Sequence, residues 1–340
     1  MEVVVAVPLD QHPGPEELRG RLVAAAASAV PGARVAVELA PMEAGELAAL
    51  GERLRALDGA GETASGPPPG AARPSPIASR RSRTRVLAVA SGKGGVGKST
   101  VTVNLAVALA GSGHSVGLLD ADIYGFSVPR MLGVDHPPMV FGGIVVPPVA
   151  HGVRTVSAGF FVDEDKAIAW RGPMLHKALE QFLVDVHWGA PDYLVVDMPP
   201  GTGDVALSVA QQLPRVELYV VTTPQPAAQR VARRAGSLAR QLHLPLRGVI
   251  ENMSWFALPD GGRHELFGSG GGAELAGALG VPLLAQVPFD VAVRQGADEG
   301  MPAAVVDPEG EVARTFADLA RRIAELGPAR VYRSELRLSE

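Results

Sequence analysis

Ser91-Gly92-Lys93-Gly94-Gly95-Val96-Gly97-Lys98-Ser99-Thr100 is the stretch on which the reading of this chain turns. A short apolar run, Val86 to Ala90, precedes it, and a helical pattern from Thr100 to Ala110 follows. A strand, a glycine-rich loop and a helix start in that order aim free backbone N–H groups and the positive end of a helix dipole at one point, which makes an anion site. Gly92 to Ser99 fit G-x-x-x-x-G-K-[ST], the phosphate-binding loop. Gly92, Gly94 and Gly97 also fit the G-x-G-x-x-G of a dinucleotide site, with Asp120 at a suitable distance for a ribose. That pattern gives Lys98 and Ser99 no purpose, whereas a triphosphate with Mg²⁺ needs both. Of the 31 lysines and arginines only four are lysine, and two of those four, Lys93 and Lys98, stand in this loop. The expected ligands are ATP and Mg²⁺, held by Gly92 through Thr100.

Outward from the loop, strand-like and helix-like segments alternate. The strands are expected at Ser115–Asp120, Tyr193–Asp197, Leu218–Thr222, Gly248–Glu251 and Leu283–Val287. Continuous apolar strands separated by helices imply a mostly parallel, doubly wound α/β sheet of a P-loop NTPase, with ligands at the carboxyl ends of the strands. This domain is expected over residues 86–328, with a tail at 329–340. Residues 1–60 read as a small α+β unit: a strand at Val3–Leu9, a helix at Pro15–Val30, a strand at Val35–Leu39 and a helix at Glu43–Leu57. Between them, residues 61–85 turn to Gly, Pro, Ser, Ala and Arg, a composition that cannot bury a core and reads as a linker. Its basic cluster Arg80, Arg81, Arg83 and Arg85 reads as a solvated linker end rather than a nucleic-acid contact.

Other residues at the strand ends carry the rest of the chemistry. Asp197 ends an apolar strand, where it is expected to hold Mg²⁺ through a water beside the Ser99 hydroxyl. Met198 to Asp204, with two prolines and two glycines, reads as a switch loop whose amides, Gly201 among them, sense a γ-phosphate. Asp120 and Asp122 end another strand and are expected to point to opposite faces, with Asp122 placed to orient the attacking water. Lys98 supplies positive charge to the transition state. Lys93 stands too early in the loop to fold back onto its own phosphates and is expected to reach those of a second subunit, which implies a homodimer with nucleotide at its interface.

Bulk properties set outer bounds. The net charge of −5 argues against nucleic acid or an anionic membrane as the main partner. No apolar run approaches the roughly 20 residues of a membrane span. The acidic start Met1-Glu2-Val3 lacks the features of a signal peptide, and a cytoplasmic location is expected. There is no cysteine in the chain, which excludes disulfides, thiolate nucleophiles and cysteine-ligated clusters.

Lys93 to Ser99 resembles the deviant phosphate loop of the MinD/ParA class of dimeric ATPases, whose early lysine crosses the dimer. Within that class, residues 117–133, 170–174, 188–204, 248–256, 267–272 and the run ending at Asp290 resemble the Mrp/NBP35 (ApbC) branch. Residues 1–57 are similar to the second half of a MIP18-type domain. The resemblance implies ATP hydrolysis, a [4Fe–4S] cluster shared by two subunits, and transfer of clusters to apoprotein clients. It also implies that Asn252 and Pro288 to Asp290 border the adenine. Members of that branch carry Cys-x-x-Cys after the ENMS segment; Leu258 and Gly261 hold those positions here, with Asp260, His264 and Glu265 as nearby candidate ligands. A cluster-independent, ATP-switched adaptor and a MinD- or ParA-like positioning ATPase are therefore alternatives.

Overall fold

The computed structural model describes residues 2–8, 15–30, 32, 34–57, 75–79, 81–141, 143–161, 172–201, 204–213, 215–258 and 262–329. Most of the expected linker, Trp170, Arg171, Thr202, Gly203, Asp260, Gly261 and the tail from Arg330 lie outside the described residues.

At the start of the chain, β1 (Glu2–Val7), α1 (Pro15–Ala29), β2 (Ala36–Pro41) and α2 (Ala44–Leu57) follow in the expected order, with β1 and β2 paired in parallel. The main sheet is built from β3 (Arg85–Ser91), β4 (Val116–Asp120), β7 (Val149–Ala150), β8 (Val153–Ser157), β9 (Tyr193–Asp197), β10 (Glu217–Thr222), β11 (Leu246–Ala257), β12 (Arg263–His264) and β13 (Leu283–Phe289), while β5 (Met139–Phe141) and β6 (Ile144–Val146) form a separate hairpin. Across the sheet the parallel order is β8-β4-β9-β3-β10-β11-β13, with β7 and β12 added antiparallel on β8 and β11. The neighbours of β3 are thus strands remote in sequence, the open arrangement that leaves a crevice at the carboxyl ends.

Alternation along the strands feeds two cores. Leu87 and Val89 of β3 face the layer made by α3 (Lys98–Gly111) and α11 (Glu311–Leu326), where they join Leu105, Leu109, Phe316 and Leu319. Ala88 and Ala90 face the opposite layer of α5 (Gly172–Val184), α6 (Asp204–Gln212), α7 (Pro226–Gln241) and α8 (Gly271–Leu279). Three short helices, α4 (Val128–Met131), α9 (Val291–Asp298) and α10 (Ala303–Val306), complete the α3 side. A glycine is needed at position 117 in mid-strand, because a Cβ there would lie 2.6 Å from the Trp188 ring.

Three expectations change. The linker does not run to Arg85: that residue opens β3, and part of the stretch before it packs on the core. Ile77 is buried there, Ser75 Oγ donates to Leu183 O at 2.9 Å and Thr84 Oγ1 donates to Pro191 O at 2.6 Å. Arg85 is no solvated linker end either. Its Nη2 lies 2.8 Å from the buried Glu217 Oε2, and its Nη1 donates to Ile323 O at 2.9 Å. Arg247 Nε lies 3.2 Å from the same Glu217 oxygen, close enough for an ion pair though not aligned for a hydrogen bond. Finally, β11 runs on to Ala257, well past Glu251, and β8 is a parallel strand that its polar sequence Val-Arg-Thr-Val-Ser did not announce.

Candidate functional site

The glycine-rich loop leaves the buried end of β3 and enters α3 at Lys98. Ser91 Oγ donates to Lys93 O at 3.0 Å and tightens the first bend. Gly97 has φ 75°, a left-handed conformation that glycine adopts at no cost. A Cβ on Gly97 would fall 2.2 Å from Asn252 Nδ2, because that amide donates to Val96 O at 3.0 Å. Val96 is buried, Gly94 and Gly95 are exposed, and Gly92 is buried at the loop base. The Thr100 carbonyl accepts from Asn104 Nδ2 at 2.9 Å, and Asn104 Oδ1 in turn accepts from Ala303 N at 2.7 Å. The loop is thereby braced from β11 and from α10.

Lys98 is buried and its ammonium lies among carboxylates. Nζ is 2.7 Å from Asp197 Oδ1 and 4.0 Å from Asp122 Oδ2, and it donates to Ser99 Oγ at 3.2 Å. Asp197 also accepts from Ser99 Oγ at 2.6 Å and from Thr102 Oγ1 at 2.8 Å. Parallel pairing explains the convergence: Asp120 lies in register with Asp197 on one side and Ser157 on the other, so all three project to the same face. Asp120 accepts from Ser157 Oγ at 3.1 Å and from Asp122 N at 3.1 Å. Burial, reinforced by the Asp197 charge, pushes the Asp120 carboxyl up to about 7. Burial also raises Asp122, against the pull of Lys98.

The expectation that Asp120 and Asp122 point to opposite faces is corrected by this arrangement. The strand ends at Asp120, Asp122 lies in the following turn, and both carboxylates face Lys98. Gly201 likewise differs from its expected use, since its N–H is committed to Ser91 O at 3.0 Å. Lys93 is half-buried and makes no ion pair with a described residue. Asn252 and Pro288 stand in β11 and β13, and Asp290 caps α9 by accepting from Ala292 N at 2.7 Å and Val293 N at 3.1 Å.

Two groups escaped the sequence reading. Thr102 holds the Asp197 carboxylate from one turn into α3, a position that a search for loop residues passes over. Glu251, 1% exposed, takes hydrogen bonds from Ser254 Oγ at 2.9 Å, Gln286 Nε2 at 2.8 Å and the Gly272 amide. A carboxylate closing an apolar strand was the available signal, as it was for Asp197.

The donor set suits a magnesium ion. Ser99 Oγ and the Asp197 carboxylate are hard oxygens side by side, and three carboxylates here face one ammonium. Among the described residues no group of three or more His, Cys, Asp or Glu side chains is arranged to hold a metal alone, so phosphate oxygens and water would complete the shell. The iron–sulfur expectation does not fit in the same way. The chain has no cysteine, Leu258 is 38% exposed at the end of the β11–β12 hairpin, and the nearby His264 and Glu265 are exposed.

The fold and this site define a P-loop NTPase of the MinD/ParA kind, with a second lysine early in its loop. A family model, ParA: NUBPL iron-transfer P-loop NTPase, matches residues 82–324. The chain belongs to that family. It is similar to an iron-sulfur cluster carrier protein of Mycobacterium bovis, 52% identical over 251 residues, which are 72% of this chain and 66% of that protein. The chain thus spans just under two thirds of that relative. The carrier protein of Bacillus subtilis is 49% identical over 238 residues, 70% of this chain and 67% of that one. Among solved structures, a nucleotide-binding protein from Archaeoglobus fulgidus in complex with ADP superposes with a TM-score of 0.59 at 35% identity, covering 68% of this chain and 91% of the other. The septum site-determining protein MinD from Pyrococcus horikoshii, complexed with Mg-ADP, gives a TM-score of 0.55 at 27% identity, covering 72% and 97%. No described helix is long and apolar enough to cross a membrane.

Proposed function

We propose that this chain binds and hydrolyses ATP as a homodimer, in the cytoplasm, and serves the delivery of iron–sulfur clusters to apoprotein clients. The observation that carries the ATPase reading is the placement of Lys98 Nζ at the loop mouth, 2.7 Å from Asp197 and 4.0 Å from Asp122. A lysine there meets phosphate charge, and the carboxylates hold it in place until the nucleotide arrives.

Each residue then has a task. The amides of Gly92 to Thr100 and the start of α3 receive the phosphates. Ser99, with Asp197 through water, would hold Mg²⁺, which supplies charge neutralisation across the phosphates when bound. Asp122 orients the water that attacks the γ-phosphorus; the bond to the ADP oxygen breaks, leaving ADP and phosphate. Lys98 and the partner subunit's Lys93 meet the charge spread over the equatorial oxygens in the transition state. Gly201, hydrogen-bonded to the loop base at Ser91, links the switch segment to the nucleotide. Asn252, Pro288 and Asp290 are assigned to the adenine border.

The cargo arm rests on the family and on the carrier relatives. With no cysteine in the chain, no thiolate of its own is available to ligate a cluster. That single fact favours a second reading, an ATP-switched adaptor that recruits clients without carrying a cluster. Anaerobic reconstitution followed by iron and sulfide analysis separates the two. Stoichiometric iron and sulfide on the purified chain supports carriage, and none leaves the adaptor. Client capture by the Asp122→Ala variant with and without ATP then tests the adaptor, which requires different client sets in the two states.

A further inference from the structure

The end of the sheet opposite the loop carries a separate cavity of about 370 Å³. Its apolar surface is offered by the exposed Leu57 and the half-buried Pro76, which stand over the nearly buried Ile77, Val186 and Trp188. Exposed Arg81 and Arg83 stand on its rim, where the sequence places its densest run of cations. Among the described residues the one acidic side chain lining it, Asp192, is already engaged, for Ser115 N and Ser115 Oγ each donate to it at 2.9 Å. Those bonds hold the Asp192 carboxyl below its ordinary range.

The walls are set in advance. Arg215 Nη2 donates to Ser79 O at 2.6 Å and to Ser82 O at 3.1 Å, adding a third cation behind the rim. Thr84 Oγ1 ties the same segment to Pro191 O. Arg83 is exposed and makes no ion pair with a described residue. A preformed cavity in the size range of small-molecule sites, about 300 Å³ upward, with an apolar lining and guanidinium groups at its mouth, selects for an apolar body bearing one anionic head.

We propose that this cavity binds a small amphipathic anion, its apolar body against Leu57 and Pro76 above Trp188 and its carboxylate or like group at Arg83. The site lies beyond the amino ends of β3 and β9 and is independent of the nucleotide reading.

The test uses Trp188 as reporter in the full chain with Trp170→Phe and Trp255→Phe, since the chain has three tryptophans. ω-Bromooctanoate is titrated and contact quenching by its bromine is followed. Saturable quenching is expected, and Arg83→Glu should weaken it about tenfold, the worth of one charge-assisted hydrogen bond. Arg83→Lys should retain most of the affinity. Bromooctane and ω-bromooctylamine should not saturate. Absence of saturation, equal quenching by the amine, or unchanged affinity in a folded Arg83→Glu variant would overturn the proposal. Calorimetry of octanoate with the unsubstituted protein and with Arg83→Glu decides the matter if the tryptophan variants do not fold.

Discussion

Gly97→Ala probes the way the phosphate loop is braced, and the structure supplies the size of the effect. At φ 75° an alanine pays the left-handed penalty of about 1–2 kcal/mol. Its Cβ would also lie 2.2 Å from Asn252 Nδ2, so Asn252 must leave its place against Val96 O. Losing that buried hydrogen bond adds about 1–3 kcal/mol, for a total of about 2–5 kcal/mol. In an Asn252→Ala background the obstacle and the hydrogen bond are already gone, and Gly97→Ala should cost only the backbone term of about 1–2 kcal/mol. The coupling between the two sites is therefore about 1–3 kcal/mol. Urea denaturation of the four proteins, without nucleotide and with equal m-values, measures it. If Gly97→Ala costs the same in both backgrounds, within about 0.5 kcal/mol, Asn252 does not brace the loop and the reasoning fails.

Three further outcomes follow from the same geometry. Lys93→Ala should keep ATP affinity while turnover is lost, so unchanged steady-state hydrolysis would remove the partner-lysine role. Because the folded Asp120 carboxyl is raised to about 7, its contribution to stability is present below its unfolded value of about 4 and is lost as pH rises through about 7. The nucleotide-free protein should thus lose stability between these pH values, and Asp120→Asn should flatten the urea-unfolding profile there; an unflattened profile would assign the slope to other groups. Glu217→Gln should destabilise by about 1–3 kcal/mol, since it removes the charge of a buried carboxylate that faces two half-buried arginines. A melting temperature equal to the parent's would show that the backbone carbonyls at Ile323, Leu326 and Gly327 suffice for them.

The strand–loop–helix unit was legible because every part of it is local. Strand, glycines, lysine and helix start are contiguous, and their spacing alone requires a phosphate. Asp197 was legible for a similar reason, as a carboxylate at the end of an unbroken apolar strand. The grip of Asn252 on Val96 O was not, because it joins residues far apart in sequence through a side-chain amide that leaves no periodic trace. Packing of residues 75–79 and 81–84 was hidden by a linker-like composition: it rests on two apolar residues, Ile77 and Ala78, and on hydroxyl or guanidinium bonds to backbone. Placing Asp120 and Asp122 on opposite faces misapplied the alternation of a strand, in which residues two apart share a face; Asp122 also stands two residues past the end of β4, where that alternation no longer governs it. Strand β8 went unread since Arg154 and Thr155 break its apolar run, although Thr155 is fully buried.

Calorimetric titration of Mg-ATP into the parent and into Lys98→Ala tests the central claim most directly. The account predicts saturable binding, one nucleotide per chain, in the parent and none in the variant, whose fold is checked by circular dichroism. Binding of equal affinity in both proteins would contradict it, since the buried ammonium between Asp122 and Asp197 would then have no part in holding phosphate.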